Sequence, residues 1–130
     1  MYVPEGFAVV TPYVVVDGAD DYVRFLSAAF GGQEIGRSTA PDGRIANSQI
    51  RFATATIMVS EASGKLPASK AAFYLYVSDA DAAMARAMAA GAEHLMDVAD
   101  MPYGDRQGGV RDPAGNIWWI SQRLRDEPYF

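Results

Sequence analysis

Two tryptophans stand side by side in "RDPAGNIWWI", residues 111 to 120. If this segment is a strand, alternation sends Trp118 and Trp119 to opposite faces of a sheet. A core accounts for one indole. The other is available to stack on a planar molecule. Residues of matching parity on the other expected strands extend that second face: Thr11, Tyr13 and Val15; Asn47, Gln49 and Arg51; Thr56, Met58 and Ser60; Ala72, Tyr74 and Tyr76; Ile117 and Ser121. Rings give such a face apolar area, while amides and hydroxyls orient what lies on it, which is the chemistry of a small-molecule pocket. An aromatic-rich subunit interface uses the same mixture.

The remaining reactive groups are few. The 130 residues include no cysteine and one histidine, so disulfides, thiolate metal sites and a cysteine nucleophile are excluded. His94, in "AEHLMD", reads as a surface or structural residue. Glu61 and Asp42 have the chemistry of general bases, but each falls at a strand end or turn, where acidic residues are routine. "DPAGN" and "PDGR" read as turns rather than phosphate loops, since no glycine-rich stretch opens a helix with a following lysine. Arg106, in "YGDRQGG", is expected on a glycine-rich loop that carries it and Tyr103 over the pocket mouth. An ion pair with Asp105 or Asp112 is its competing fate. The formal charge of -5, without a basic cluster, argues against nucleic acid as a partner. No apolar run approaches the roughly 20 residues of a membrane-spanning helix, and the start lacks a signal-peptide pattern. A cytoplasmic protein of one domain is therefore expected.

The elements that must position these residues repeat. "VDGADDYVRFLSAAFGGQEI" from Val16 reads like "VSDADAAMARAMAAGAEHL" from Val77, at an offset of 61 residues. Each copy predicts strand, helix and three strands. In the first, Tyr13–Val16 is followed by a helix capped by Asp17 or Asp20 and stopped at Gly31-Gly32, then by strands Gln33–Arg37, Ile45–Phe52 and Thr54–Ser60. In the second, Ala72–Val77 is followed by a helix capped by Asp79 or Asp81, with Met84 and Met88 packing inward. Strands Glu93–Asp97, Gln107–Arg111 and Asn116–Ser121 complete it. Module one covers about 8–62 and module two about 70–123, joined by "SGKLPASK". Val14, Val16, Ile50, Phe52, Ile57, Val59, Phe73, Leu75, Val77, Trp118 and Ile120 form the uniformly apolar face under the helices.

Paired βαβββ modules carrying "VDGADDYVRFLSAAFG", "AAGA" and "RDPAGNIWWI" resemble the vicinal oxygen chelate superfamily. Its members include glyoxalase I, extradiol dioxygenases and the fosfomycin and bleomycin resistance proteins. "PDGRI" and "YGDRQGGVRDPAGNIW" are most similar to the PhnB-like branch. The resemblance implies an α+β fold whose curved mixed sheets enclose a cavity, and a homodimer to which the tail "DEPYF" contributes. It also implies four metal positions, which fall on Thr11, Met58, Ala72 and Trp119. None is a competent ligand for a hard or borderline cation, and Asn47 and Asn116 stand where the branch commonly has histidine. The expected protein is thus free of metal and cofactor, and binds an aromatic or planar small molecule. Thr11, Tyr13, Asn47, Gln49, Met58, Tyr74, Tyr76, Arg106 and Trp119 are its expected ligand contacts. A metal-dependent lyase, isomerase or dioxygenase with differently placed ligands is the alternative, and cofactor-independent catalysis stays open.

Overall fold

Each half of the repeat folds as strand, helix and three strands. The computed structural model describes residues 2–130, and the chain divides into two units, Met1–Lys70 and Ala71–Phe130. The first contains β1 (Tyr13–Val16), α1 (Ala19–Phe30), β2 (Gln33–Thr39), β3 (Ile45–Phe52) and β4 (Ala55–Glu61). The second contains β5 (Ala72–Tyr76), α2 (Ala80–Ala89), β6 (Glu93–Asp100), β7 (Asp105–Arg111) and β8 (Ile117–Arg123). The sheets have strand orders β1-β4-β3-β2 and β5-β8-β7-β6. In each, first and last strands pair in parallel and the other pairs are antiparallel. This is the expected α+β architecture of two mixed four-stranded sheets. Among the described residues, no helix is long and apolar enough to cross a membrane.

The repeat offset extends to the pairing register. Tyr13 lies opposite Met58 and Val15 opposite Ser60; Tyr74 lies opposite Trp119 and Tyr76 opposite Ser121. Each second pair sits 61 residues beyond the first. A one-residue slip would exchange the faces of every side chain, so burying one face fixes the register.

Most of the apolar face packs as expected, while Phe52, Phe73, Leu75 and Val77 are only half-buried. Val14, Val16, Ile50, Ile57 and Val59 are buried in the first unit, with Tyr22, Val23, Phe25 and Leu26 of α1 above them. In the second, Val110, Trp118 and Ile120 are buried with Ala80, Met84 and Ala87 of α2. Met88 does not join them: it lies outward, 38% exposed. Trp118 packs 4.4 Å from Phe73 between ring centroids, and its indole Nε1 donates to Asp112 Oδ2 at 2.8 Å. The other Asp112 oxygen accepts from the backbone N–H of Ala114 and Asn116, each at 2.9 Å. Asn116 in turn accepts from the Ala71 N–H at 2.8 Å, joining the turn to the start of β5. One turn therefore fixes the core indole, and with it the opposite orientation of its neighbour.

The helix starts correct one expectation. Asp79 caps α2, accepting from the Ala82 N–H at 3.0 Å. Neither Asp17 nor Asp20 caps α1, because its N-cap is Gly18 in a left-handed conformation (φ 77°) and without a side-chain cap. The carboxylate of Glu61, at the end of β4, replaces them. Its two oxygens accept from the Gly18 N–H at 2.9 Å and the Ala19 N–H at 3.0 Å. Gln122, 61 residues later, does the same for the Ala80 N–H at 3.0 Å. Each sheet thus holds the first turn of its own helix from the strand beside β1 or β5. Glu61 is a helix-capping residue, and Asp42 accepts from the Arg44 N–H inside an exposed β2–β3 turn.

Candidate functional site

In the second unit, the sheet face away from α2 forms a hollow of about 370 Å³, lined by Tyr74, Met96, Met101, Tyr103, Gln107 and Trp119. Alternation brings Tyr74 and Trp119 there as directly paired neighbours on β5 and β8. The indole also depends on what it lacks beneath it. Gly109 is its partner on β7, and a Cβ at that position would lie 2.6 Å from the Trp119 ring. The absent side chain leaves room for the ring to lie over the strand. Gly108 serves the other face, where a Cβ would meet Val98 at 2.8 Å and Met84 at 3.2 Å. The glycine pair of "RQGGVR" therefore brings a helix close on one side and makes room for an indole on the other.

A hydrogen-bonded group backs this hollow. Asp105, fully buried, accepts from the hydroxyls of Tyr74 and Tyr129 on one oxygen. Its other oxygen accepts from the Arg123 guanidinium at 2.9 Å. Tyr76 and Tyr129 hydroxyls are 2.7 Å apart, and Arg123 stacks 4.0 Å over the Tyr129 ring. Gln107 accepts from the Tyr103 hydroxyl and donates to Ser121 at 2.8 Å. Burial pushes the Asp105 carboxyl up, but the bonds from Tyr129, Tyr74 and Arg123 outweigh it and hold the group below the ordinary carboxylate range. The same burial, followed by the neighbouring carboxylate, pushes Tyr129 and Tyr74 up. The tail "DEPYF", expected at a subunit contact, thus places Tyr129 back on its own unit.

The first unit has its own hollow of about 430 Å³, with Thr11, Gln49 and Met58 on the sheet side. Its opposite wall, from Tyr2, Val3, Pro4, Phe7, Ala8 and Val9, is an N-terminal segment that no strand or helix signal marked. Two cavity-parity residues fasten it: Thr56 donates to the Gly6 carbonyl at 2.7 Å, and Arg51 reaches the Glu5 carbonyl at 3.5 Å. The Thr11 hydroxyl donates to the Ala8 carbonyl at 2.9 Å. Asn47 and Gln49 contact one another at 3.4 Å, and Tyr13 is exposed at the start of β1.

The expected contacts group within each unit. Thr11, Gln49 and Met58 share one hollow, with Asn47 bonded to Gln49; Tyr74 and Trp119 share the other, with Tyr76 in ring contact with Tyr74. Arg106 is elsewhere. β7 starts at Asp105 rather than Gln107, so alternation turns Arg106 toward α2. There it bonds Asp81 at 2.7 and 3.0 Å and Asp100 at 2.9 Å. The Gly-rich loop over the pocket mouth is corrected to an ion-paired strand residue on the helix side. His94 lies outward on β6, 2.7 Å from Asp97. Asp105 was missed for the same reason that Arg106 was misplaced. Its parity with Gln107, Gly109 and Trp119 would have revealed it had the strand been started two residues earlier.

The family's four metal positions do not fit a divalent ion. Met58 offers a thioether, Ala72 no donor atom and Trp119 only an N–H; Thr11 offers a neutral hydroxyl already bonded to the backbone. No group of three His, Cys, Asp or Glu side chains placed to hold a metal exists among the described residues. Asp105, the carboxylate behind the second hollow, is occupied by two phenols and a guanidinium.

Comparison with known proteins agrees with the fold. An uncharacterized protein of Mycobacterium bovis is 33% identical over 127 residues, covering 89% of this chain and 84% of that one. A gene product of Arabidopsis thaliana, solved by X-ray crystallography, has a TM-score of 0.71 at 28% identity over 88% of this chain and 98% of its own. TnmS3, an antibiotic binding protein from Streptomyces sp. CB03234, shares the fold with a TM-score of 0.71 at 21% identity, over 95% of this chain and 98% of its own. The family model described as Glyoxalase/Bleomycin resistance protein/Dioxygenase superfamily matches residues 7–120. A match over nearly the whole repeat, on two modules of this topology, makes the chain a member of that superfamily.

Proposed function

We propose that the protein binds a planar or aromatic small molecule without a metal ion, stacking it on Trp119. One observation carries this reading. An indole that the core does not need is held over a glycine, in a hollow with Tyr74 and two methionines. Aromatic rings and thioethers are adaptable partners for a flat apolar ligand. The donor chemistry at the four family positions supports it further, since none of those side chains suits a hard or borderline cation. A related fold serves an antibiotic binding protein in Streptomyces. The "PDGRI" and "YGDRQGGVRDPAGNIW" motifs support a place near the PhnB-like branch.

Trp119→Ala tests the proposal. Losing the stacked ring removes about 0.5–1.5 kcal/mol beyond area burial, so affinity for a planar ligand found by thermal-shift screening should drop about tenfold or more. Far-ultraviolet circular dichroism should stay unchanged. Undiminished affinity, or binding that vanishes with a chelator and returns with a divalent ion, would defeat the proposal.

A further inference from the structure

The tyrosine hydroxyls gathered around Asp105 have only one consistent hydrogen-bond direction. Asp105 is ionised, and a carboxylate only accepts. Tyr74 and Tyr129 must therefore each spend their single proton on it. Tyr76, bonded to Tyr129, must then be the donor in that pair. Ser121 accepts from the Gln107 amide N–H at 2.8 Å. The Gln107 carbonyl oxygen is left to accept from Tyr103. One buried charge thus orients the protons of Tyr74, Tyr129 and Tyr76, and beside it Gln107 takes up that of Tyr103.

The surface that these bonds leave facing the hollow is rich in acceptors. Tyr103, 44% exposed, turns its proton inward and presents oxygen lone pairs to the hollow. The one amide proton of Gln107 not in these bonds sits on a side chain only 4% exposed. Arg123, the cation of the cluster, is committed to Asp105, the carbonyls of Tyr103 and Glu127, and the face of Tyr129. Ring faces add negative quadrupole, and the chain as a whole carries -5. Apart from the Trp119 indole N–H, an acceptor-only ligand finds few accessible donors here, whereas an N–H-bearing ring finds both a stacking platform and acceptors.

Resting on the binding reading above, we infer that the second hollow selects planar ligands bearing hydrogen-bond donors, of the arylamine or arylamidinium class, over quinones, carboxylates and sulfonates. Four tricyclic probes separate the contributions: proflavine carries ring amines and a positive charge, 10-methylacridinium only the charge, acridine neither, and anthraquinone-2-sulfonate only acceptors. Calorimetry on the full chain should give proflavine about tenfold higher affinity than 10-methylacridinium or acridine, the scale of one to two net hydrogen bonds, with the sulfonate weakest. Tyr103→Phe removes the outermost acceptor without touching the platform. It should lower proflavine affinity about tenfold and leave acridine unchanged. Equal affinities across the four, all lowered by Trp119→Ala, would overturn the donor preference while leaving stacking in place. Failure of all four to bind would overturn both.

Discussion

Gly109 shows how much a missing atom controls at the scale of one residue. Its Cβ would sit at 2.6 Å from the Trp119 ring, well inside contact distance, so Gly109→Ala forces the indole off the strand. Overpacking of this kind costs typically 1–3 kcal/mol. The expected result is a lower unfolding midpoint in urea, together with a shift in tryptophan emission as Trp119 is displaced. Unchanged emission would mean that the ring does not rest there. The alternation that separates Trp118 from Trp119 is legible in the sequence, since period two needs only the strand to exist. The glycine's purpose is not, because a close approach between strands depends on which residues are paired. Arg106 and Asp105 illustrate the same limit: a strand begun two residues late places one on the wrong side and hides the other.

At the scale of elements, the helix starts depend on side chains far along the chain. Glu61 and Gln122 bond backbone N–H groups of α1 and α2, satisfying donors that a helix cannot satisfy internally. Glu61 also places a carboxylate at the positive end of α1. Glu61→Ala should therefore cost about 1 kcal/mol, a typical cap loss, with Glu61→Gln retaining much of it; urea unfolding measures both. A loss no larger than that of Asp17→Ala would refute the capping role. Local rules find Asp79, three residues from the N–H that donates to it, because a cap is normally close in sequence. They point wrongly to Asp17 and Asp20, since Gly18 occupies the capping position and the actual partner arrives from another strand. Strand and helix types were legible throughout. The N-terminal wall of residues 2–9 was not, having no periodicity to read.

Across the molecule, the ionisable cluster sets how stability follows pH. Asp105 has its folded carboxyl below its unfolded value, so the stability it contributes is present above about pH 4 and is lost as pH falls through the folded value. Acid unfolding should begin at lower denaturant below that point, and Asp105→Asn, though less stable at neutrality, should show a shallower acid slope. Tyr74 and Tyr129 shift the other way. Their contribution persists below the unfolded phenol value of about 10 and fades as pH rises through the higher folded values. Absorbance at 295 nm in the native state should therefore show late ionisation for part of the seven tyrosines, abolished by unfolding. A single transition at the free-phenol value would contradict this.

The shared register has an evolutionary corollary. Tyr13 opposite Met58 and Tyr74 opposite Trp119 occupy equivalent backbone places, yet only the second pair is doubly aromatic. Scaffold and open-face chemistry are thereby uncoupled. One half is free to change the side chains of its open face while keeping the register of its own strands, and its twin supplies a ready template for what each position will tolerate.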